Sequence, residues 1–435
     1  MTELQSTEPY CSPTIGERKR EHKIGRWPSR RSGKTSIEVR GGEHIARRLE
    51  SHGVRENDVE RALLLVHWMV GRVALSGREG VDGKWGWISM TKEFLNSVIG
   101  DEARRYLPRV LCEIGVFDLK PWKNRGPNSS PKRYRLSECF ADWESGLQFV
   151  SENLLQRLAA WTEKARNSSI NAHEVHRRLW EDLQHLDLDD NYEESLPDFG
   201  GYQWLKELAW RRSIDQIINK NHLFSHSPPC GRIYSVFSGT PSALRRHATL
   251  DGDPAVCIDV QCSQPFLHST LLSHGAEKER YMESVLSSRF YEDLAEAAGN
   301  HSGKSIHRKQ LKADIFKEVF YGPVKSAENA PIWGIFSELY PDLADAIEYR
   351  KQYNYKRLAV DMQNLEAKIV IHGAAAALYE QFPDIRILTV HDALYVTENF
   401  KQQAIEALQS AFINETGYSP NFHIEKGLAK TDRAS

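Results

Sequence analysis

Long apolar runs are absent from this 435-residue chain: no stretch approaches the roughly 18 uninterrupted apolar residues that a membrane-crossing helix requires. The first residues are polar and basic and carry no apolar core of the kind a secretory leader has. A soluble, cytoplasmic protein without a membrane partner is therefore expected. Cysteine is sparse as well. The six (Cys11, Cys112, Cys139, Cys230, Cys257 and Cys262) are scattered and form no CxxC pair, which argues against zinc ligation and against a disulfide framework. Excess charge of one sign is missing too. The net charge is −2, so contact with a polyanion must come from local basic patches. A phosphate-binding loop is also lacking: Gly33-Lys34-Thr35 would need glycine at position 28, where Pro28 stands. What remains is an ordinary globular composition, 40% hydrophobic and 27% charged, with room for two or three domains.

Against these absences, one stretch stands out, RILTVHDALYV from Arg386 to Val396. Ile385 and Ile387 to Val390 read as a strand, Leu394 to Val396 as its partner, and His391-Asp392 as the tip of the hairpin between them. A carboxylate between two apolar strands is partly desolvated and needs a counter-charge; a divalent cation serves when a second carboxylate is near. Asp259 offers that second carboxylate at the end of the strand-like run Ala255 to Ile258. Two such strands side by side can hold two metal ions roughly 3.5 to 4 Å apart, the arrangement that serves phosphoryl and nucleotidyl transfer. The plainer alternative is that Asp259 ends a strand and His391-Asp392 makes a turn.

The chain before these acids falls into three stretches. Residues 1–42 are rich in Arg, Lys, Ser, Gly and Pro; Glu17 to Arg40 holds nine Lys and Arg against three acids and reads as a flexible basic arm. Residues 43–138 read as a small domain. Val59 to Leu75 has helical apolar spacing, Trp87 to Met90 is a short strand, Thr91 caps a helix to Ile99, and Asp101 caps another through Ile114. Two strand-like pieces then flank the loop KNRGPNSSPK. This order resembles a winged helix, which implies that the helix from Asp101 recognises DNA and that residues 123–132 form the wing. Nine Lys and Arg between Arg104 and Arg135, among them Arg104, Arg105, Arg109, Lys132 and Arg133, face only Glu113 and Asp118, so phosphate contact is expected here. Residues 139–222 read as a helical, thumb-like region, FADWESGLQFVSENLLQRLAAW included, with tryptophans and leucines at core spacing.

Residues 223–435 change character. Arg308, Lys312, Phe316 and Phe320 lie four apart, so one helical face carries two cations and then two rings. Such a face can hold a triphosphate at its charged end and stack on a sugar and base at its aromatic end; a solvated basic face is the alternative. Four pieces follow one another: GRIYS with TPSALR behind it, the strand ending in Asp259 with Ser263-Gln264 after it, the Arg308 to Gly322 helix, and Val390-His391-Asp392. A fifth is the glutamine of DMQNLEA at 361–367. In that order they resemble the palm and fingers of family A DNA polymerases and their relatives, the phage-type single-subunit RNA polymerases, over about half the chain, and most nearly the compact polymerase-like proteins of phages and mobile elements.

The resemblance implies an α+β right-hand palm with mainly helical fingers and a thumb-like region, preceded by the winged helix. It implies that Asp259 and Asp392 ligate two Mg²⁺ ions, with Mn²⁺ able to substitute, and that Lys312 shares in catalysis. Arg308 and Lys312 would neutralise the triphosphate, and Phe316, Phe320 and Tyr321 would stack on the incoming nucleotide. Arg232 and Gln363 would touch the minor-groove side of primer and template, and His391 the primer-terminal nucleotide. Gln363 as a helix cap and His391 as a turn residue are the alternatives.

Three departures are visible in the sequence. Lys312 stands ten residues before Gly322, one more than the family spacing, so either Phe320 takes the tyrosine's place or the helix carries an extra residue. Ser263-Gln264 follow Asp259 at four and five residues, and Phe266 occupies the place of the glutamate that excludes a 2′-hydroxyl. No exonuclease precedes the palm. The expected function is a template-directed DNA polymerase without proofreading, acting on a DNA template and primer with nucleoside triphosphates, nucleoid-associated, with a replication or mobile-element partner protein. The alternatives are an RNA polymerase or primase, and a winged-helix replication initiator or regulator whose palm is not catalytic.

Overall fold

The continuous apolar run Ala255 to Ile258 within Asp253–Val260 makes it a strand buried on both faces, and the main sheet forms around it. The computed structural model describes residues 34–76, 87–120, 132–137, 145–197, 204–302, 308–324, 326 and 329–428. Its strands in chain order are β1 (Lys34–Arg40), β2 (Ile88–Ser89), β3 (Phe117–Leu119), β4 (Arg133–Leu136), β5 (Ser145–Ser151), β6 (Leu186–Leu188), β7 (Phe224–His226), β8 (Ile233–Ser235), β9 (Ala248–Leu250), β10 (Asp253–Val260), β11 (Leu388–Val390), β12 (Ala393–Thr397) and β13 (Phe422–Glu425). The chain divides into two units, Met1–Ala165 with Glu193–Asp215, and Arg166–Tyr192 with Gln216–Ser435.

In the first unit, helices Glu56–Ser76, Lys92–Ile99 and Asp101–Glu113 pack with the three-stranded sheet β2-β4-β3. The order helix, strand, helix, helix, strand, strand is the expected one. Thr91 caps as anticipated, its hydroxyl accepting from the Phe94 N–H at 3.1 Å. Asp101 does not cap: Gly100 holds that position, and Asp101 opens the helix and pairs with Arg104 and Arg105. Two further expectations fail. Lys34–Arg40, read as part of the basic arm, is a strand, and Ser145–Ser151, read as helix, is its antiparallel partner. Each supplies the hydrogen bonds the other lacks, a long-range pairing that overrides local helical spacing. Residues 1–33 of the arm and most of the wing, 121–131, lie outside the described residues. The stretch 139–222, read as one helical region, is shared between the two units.

The second unit is an antiparallel α+β structure. Its six-stranded sheet runs β11-β12-β10-β9-β6, with β13 also on β10. The helices packed on it bury Phe266, Tyr281, Phe290, Phe320, Phe336 and Phe412 almost completely. A continuous helical rod, Tyr355–Ala367, Lys368–Ala375 and Ala376–Gln381, has a π-helical middle and lies against Lys401–Thr416. Among the described residues no helix is long and apolar enough to cross a membrane.

The approach to the β11–β12 hairpin is held by one buried acid. Asp182, on helix Glu174–Leu183, accepts from the Tyr379 hydroxyl at 2.6 Å and from the Ile387 N–H at 2.8 Å. Asp182→Ala strands both buried donors, so urea unfolding should show a loss of roughly 2–4 kcal/mol. A loss below about 1 kcal/mol, close to that of a surface change, would speak against this anchor.

Candidate active site

The hairpin register sets the site. Asp259 pairs with Ala393 across β10 and β12, and Val390 pairs with Ala393 across β11 and β12, so His391-Asp392 is a two-residue turn beside Asp259. Such a turn needs a residue in the left-handed region. His391 supplies it with φ 55°. Past Asp259 the chain turns again through Cys262, at φ 52°, which starts helix Ser263–His268. Both acid-bearing strands thus end in a strained, non-glycine residue, a feature that clusters at functional sites.

The two carboxylates disfavour each other's charge. Burial, and then the Asp392 charge, push Asp259 up to about 6, while His423, Lys312 and Arg245 pull it back. Asp392 is raised by burial, offset by its own backbone N–H, the nearby Ser263 hydroxyl, Arg232 and Lys312. Among the described residues neither acid is in a salt bridge. Paired, partly buried carboxylates without an ion-pair partner form a donor set of the hard-oxygen type that divalent cations favour. The residues present therefore fit the metal ions the sequence implies, with Asp259 and Asp392 as ligands.

The cationic helix lies close by. Lys312 is near enough to both acids to lower each, and Arg308 and Lys312 sit over the Tyr291 ring at 5.8 and 5.9 Å. Arg308 also pairs with Glu292 at 3.1 Å. After Ile315 the helix becomes π-helical over Phe316–Phe320, and the Tyr321 N–H donates to the Phe316 carbonyl at 2.8 Å. One extra residue is accommodated in this turn. Phe320 consequently points into the core, fully buried with its ring 4.1 Å from that of His268, and its expected place on the nucleotide face is not where the structure puts it. Tyr321 turns the other way: Arg232, Glu366, Asp392 and Gln363 are the groups that act on its hydroxyl. Phe316 packs on Tyr321 at 5.2 Å between centroids. Lys351, buried, donates to the Val319 carbonyl and to that of Gly322 at 2.8 Å, closing the π turn.

Arg232 is engaged within the protein. Its Nε and one Nη donate to the two Glu366 oxygens, each at 2.8 Å, and the Gln264 amide donates to the same carboxylate at 2.9 Å. Burial and then Asp392 raise Glu366, with Arg232 acting against them. Gly231, at φ 67°, lets the preceding turn approach the rod, where a Cβ would come within 3.0 Å of the Asn364 side chain. Asn364 in turn donates to the Pro229 carbonyl at 2.7 Å. His391 is pushed down to about 4 by burial and by Arg232 and Arg245, so it is neutral at pH 7.

Sequence reading therefore named Asp259, Asp392, Lys312, Arg308, Tyr321, Gln363, Arg232 and His391, and the structure brings these around one spot. It assigned no role to Glu366, Tyr291 or Arg245, and named Ser263 only for its spacing from Asp259. Glu366 was findable: it stands one helical turn after Gln363 and so shares its face. In the first unit, Arg104 and Arg105 pair with Asp101, and Arg109 with Glu113 at 3.2 Å, while Lys132 and Arg133 are exposed.

No protein-family model matches the chain, and no curated protein matches its sequence. Among solved structures it is similar to the POL domain of Pol1 from M. smegmatis, determined with a DNA primer-template and dNTP. That match has 13% identity and a TM-score of 0.40 over 63% of this chain and 73% of the other, a likeness too slight to bear on function.

The electrostatics give a signed prediction. In metal-free protein Asp259 keeps its proton to about pH 6, so between its ordinary value of 3.8 and 6 the folded state binds more protons than the unfolded. Stability then falls as pH rises through that window and stays lowered above it. In EDTA, Asp259→Asn should raise the melting temperature at about pH 7.5; Mg²⁺ should raise that of the wild type at about pH 7.5 but hardly at about pH 4.5, values above and below the folded-state value of about 6. A Mg²⁺ effect of equal size in Asp259→Asn would place the ion elsewhere. The π turn gives a second test. A Cβ at Gly322 would lie 2.0 Å from the Lys317 carbonyl, so Gly322→Ala should cost about 1–3 kcal/mol in denaturant unfolding, and an unchanged midpoint would contradict it.

Proposed function

We propose that the chain is a template-directed nucleotidyltransferase of the family A DNA polymerase type, with a palm around β10 to β13. The observation that carries this reading is the placement of Asp259 and Asp392 on neighbouring strand ends, both raised by burial and Asp259 also by Asp392, with Lys312 acting on both. Divalent cations held by these two acids supply Lewis acidity and charge neutralisation. The remaining roles belong to side chains. Lys312 and Arg308, aligned by the Tyr291 ring, offset the charge of a nucleoside triphosphate as it shifts to the leaving group. Tyr321 and Phe316 present rings for the incoming base and sugar. Gln363 and neutral His391 offer hydrogen-bonding groups to primer and template. Arg232 acts here through Glu366, as a positioning residue.

Sugar choice is the point at which a second reading enters. Phe266 stands where a gating glutamate is expected, and it is fully buried against Phe412, ring centroids 5.5 Å apart, so nothing at that position meets a 2′-hydroxyl. This favours acceptance of rNTPs alongside dNTPs, as in an RNA polymerase or primase. In the same proposal the first unit recruits DNA through the exposed Lys132 and Arg133 and through Arg104, Arg105 and Arg109.

Primer extension on DNA and RNA templates, with Mg²⁺ or Mn²⁺ and with dNTPs and rNTPs supplied separately, tests both readings. Wild-type protein should extend, and Asp392→Asn and Lys312→Ala should each lose on the order of 10²-fold or more. Duplex binding at a specific site with no divalent-dependent synthesis under any combination would replace the polymerase reading with that of a DNA-binding initiator or regulator.

A further inference from the structure

Four histidines converge away from the paired aspartates. His173 caps the Glu174–Leu183 helix, His176 lies in that helix's first turn, His226 ends β7, and His372 lies in the π-helical segment Lys368–Ala375. Ring centroids are 4.8 Å apart for His173 and His176, 4.8 Å for His173 and His372, 4.7 Å for His176 and His226, and 5.4 Å for His176 and His372. In His173, His176 and His372 one ring nitrogen of each lies within 4.8 Å of the other two.

The chemistry of His176 singles this cluster out from a chance stack of imidazoles. Its Nδ1–H donates to the Ser169 carbonyl at 3.1 Å, which fixes the tautomer and leaves Nε2 as a lone-pair donor. Nε2 is buried, in a residue with no solvent exposure, and has no hydrogen-bond partner. A ring nitrogen oriented by a backbone carbonyl and left bare on its other side is the arrangement that metal-bound histidines show. Burial and the three neighbouring rings also keep His176 neutral at pH 7, the form that binds metal.

We propose that His173, His176, His226 and His372 form a structural site for a transition-metal dication, with Zn²⁺ the best fit. Imidazole nitrogens suit Zn²⁺, and four protein ligands leave no open position, as in structural sites. Tetrahedral Zn–N bonds of about 2.0–2.1 Å need donors closer together than the 4.8 Å spanned by the ring nitrogens of His173, His176 and His372, so these rings would close in on the ion, and His226, its ring 4.7 Å from that of His176, would turn in as the fourth ligand. The rings of His173 and His372 are exposed. The ion would tie together three elements that the active site depends on. The Glu174–Leu183 helix carries Asp182, the β7–β8 hairpin carries Gly231-Arg232, and the rod carries Gln363 and Glu366.

The test uses the full chain stripped by chelation and titrated with Zn²⁺ against a competing chelator dye, with Co²⁺ as a visible-spectrum probe. Asp259→Asn/Asp392→Asn serves as background, so that the paired acids contribute nothing. One Zn²⁺ per chain should bind, Co²⁺ should give tetrahedral absorption, and Zn²⁺ should raise the melting temperature. His173→Ala and His372→Ala replace exposed rings and should fold. Each should weaken Zn²⁺ binding at least about tenfold and abolish the Co²⁺ bands and the thermal shift. Zn²⁺ bound equally by this background with and without the His173→Ala/His372→Ala double change, or no uptake by the background at micromolar free Zn²⁺, overturns the proposal.

Discussion

Three carboxylates and one guanidinium in a partly dry space set the terms for the second unit. Two like charges about 4 Å apart repel by roughly 4 kcal/mol at an effective dielectric near 20, more than most single contacts return. Glu366 is answered by hydrogen bonds from the Arg232 fork and the Gln264 amide. Asp259 and Asp392 are not answered in that way. The surrounding geometry follows from keeping these groups together: the left-handed turns at Cys262 and His391, and the Gly231 turn that seats Arg232 against the rod. A fold that served stability alone would put apolar side chains here, since buried ionic groups of matching shape are often no better than hydrophobic ones. The uncompensated pair is therefore the strongest sign that this sheet end is built for a ligand.

The π turn at Phe316–Phe320 shows how the same helix serves a core and a site. Each residue advances an α-helix by about 100°, so one inserted residue would swing every later side chain off its face. Absorbing it in a single wide turn limits the damage to that turn. Phe320 falls inward onto His268, and Tyr321 emerges toward Arg232 and Asp392. Lys351 completes the arrangement by taking up carbonyls that the wide turn leaves without helical donors, and burial pushes its ammonium down to about 8.

Local pattern made much of this legible. Short continuous runs of β-formers ending in acids located β10 and the β11–β12 hairpin, and i, i+4 spacing located the Arg308–Lys312 face, because such patterns are written residue by residue. The odd spacing from Lys312 to Gly322 exposed the insertion without saying which way it would resolve; that depended on which ring the core could take, a property of neighbours distant in sequence. The β1–β5 pair was illegible for a related reason: each strand is stabilised by a partner more than a hundred positions away, and Ser145–Ser151 alone carries helical spacing as plausibly as strand alternation. Glu366 could be seen only as one more acid on an amphipathic helix until Arg232 was placed beside it. The histidines were the least visible of all. Sparse cysteine argued against zinc, but His173, His176, His226 and His372 come from three segments, and only the fold brings them together.

Both clusters meet on one helical rod. Gln363 and Glu366 face the acids from its regular first part, and His372 lies in the π-helical stretch that begins at Lys368. The same stretch packs tightly on helix Lys401–Thr416, where a Cβ at Gly373 would come within 3.1 Å of that of Ala411. An unbroken α-helix has one phase and could not freely set a polar face toward the sheet end, a small-residue face toward a neighbouring helix and an imidazole toward the Glu174–Leu183 helix. Underwinding the middle decouples these phases, at the cost of the weaker hydrogen bonding of π turns. A helix that accepts that cost over eight residues needs something to hold its underwound segment in register. Close packing at Gly373 does so on one side; on the other, the His372 ring packs on those of His173 and His176, at the start of the helix whose Asp182 anchors the β11–β12 hairpin.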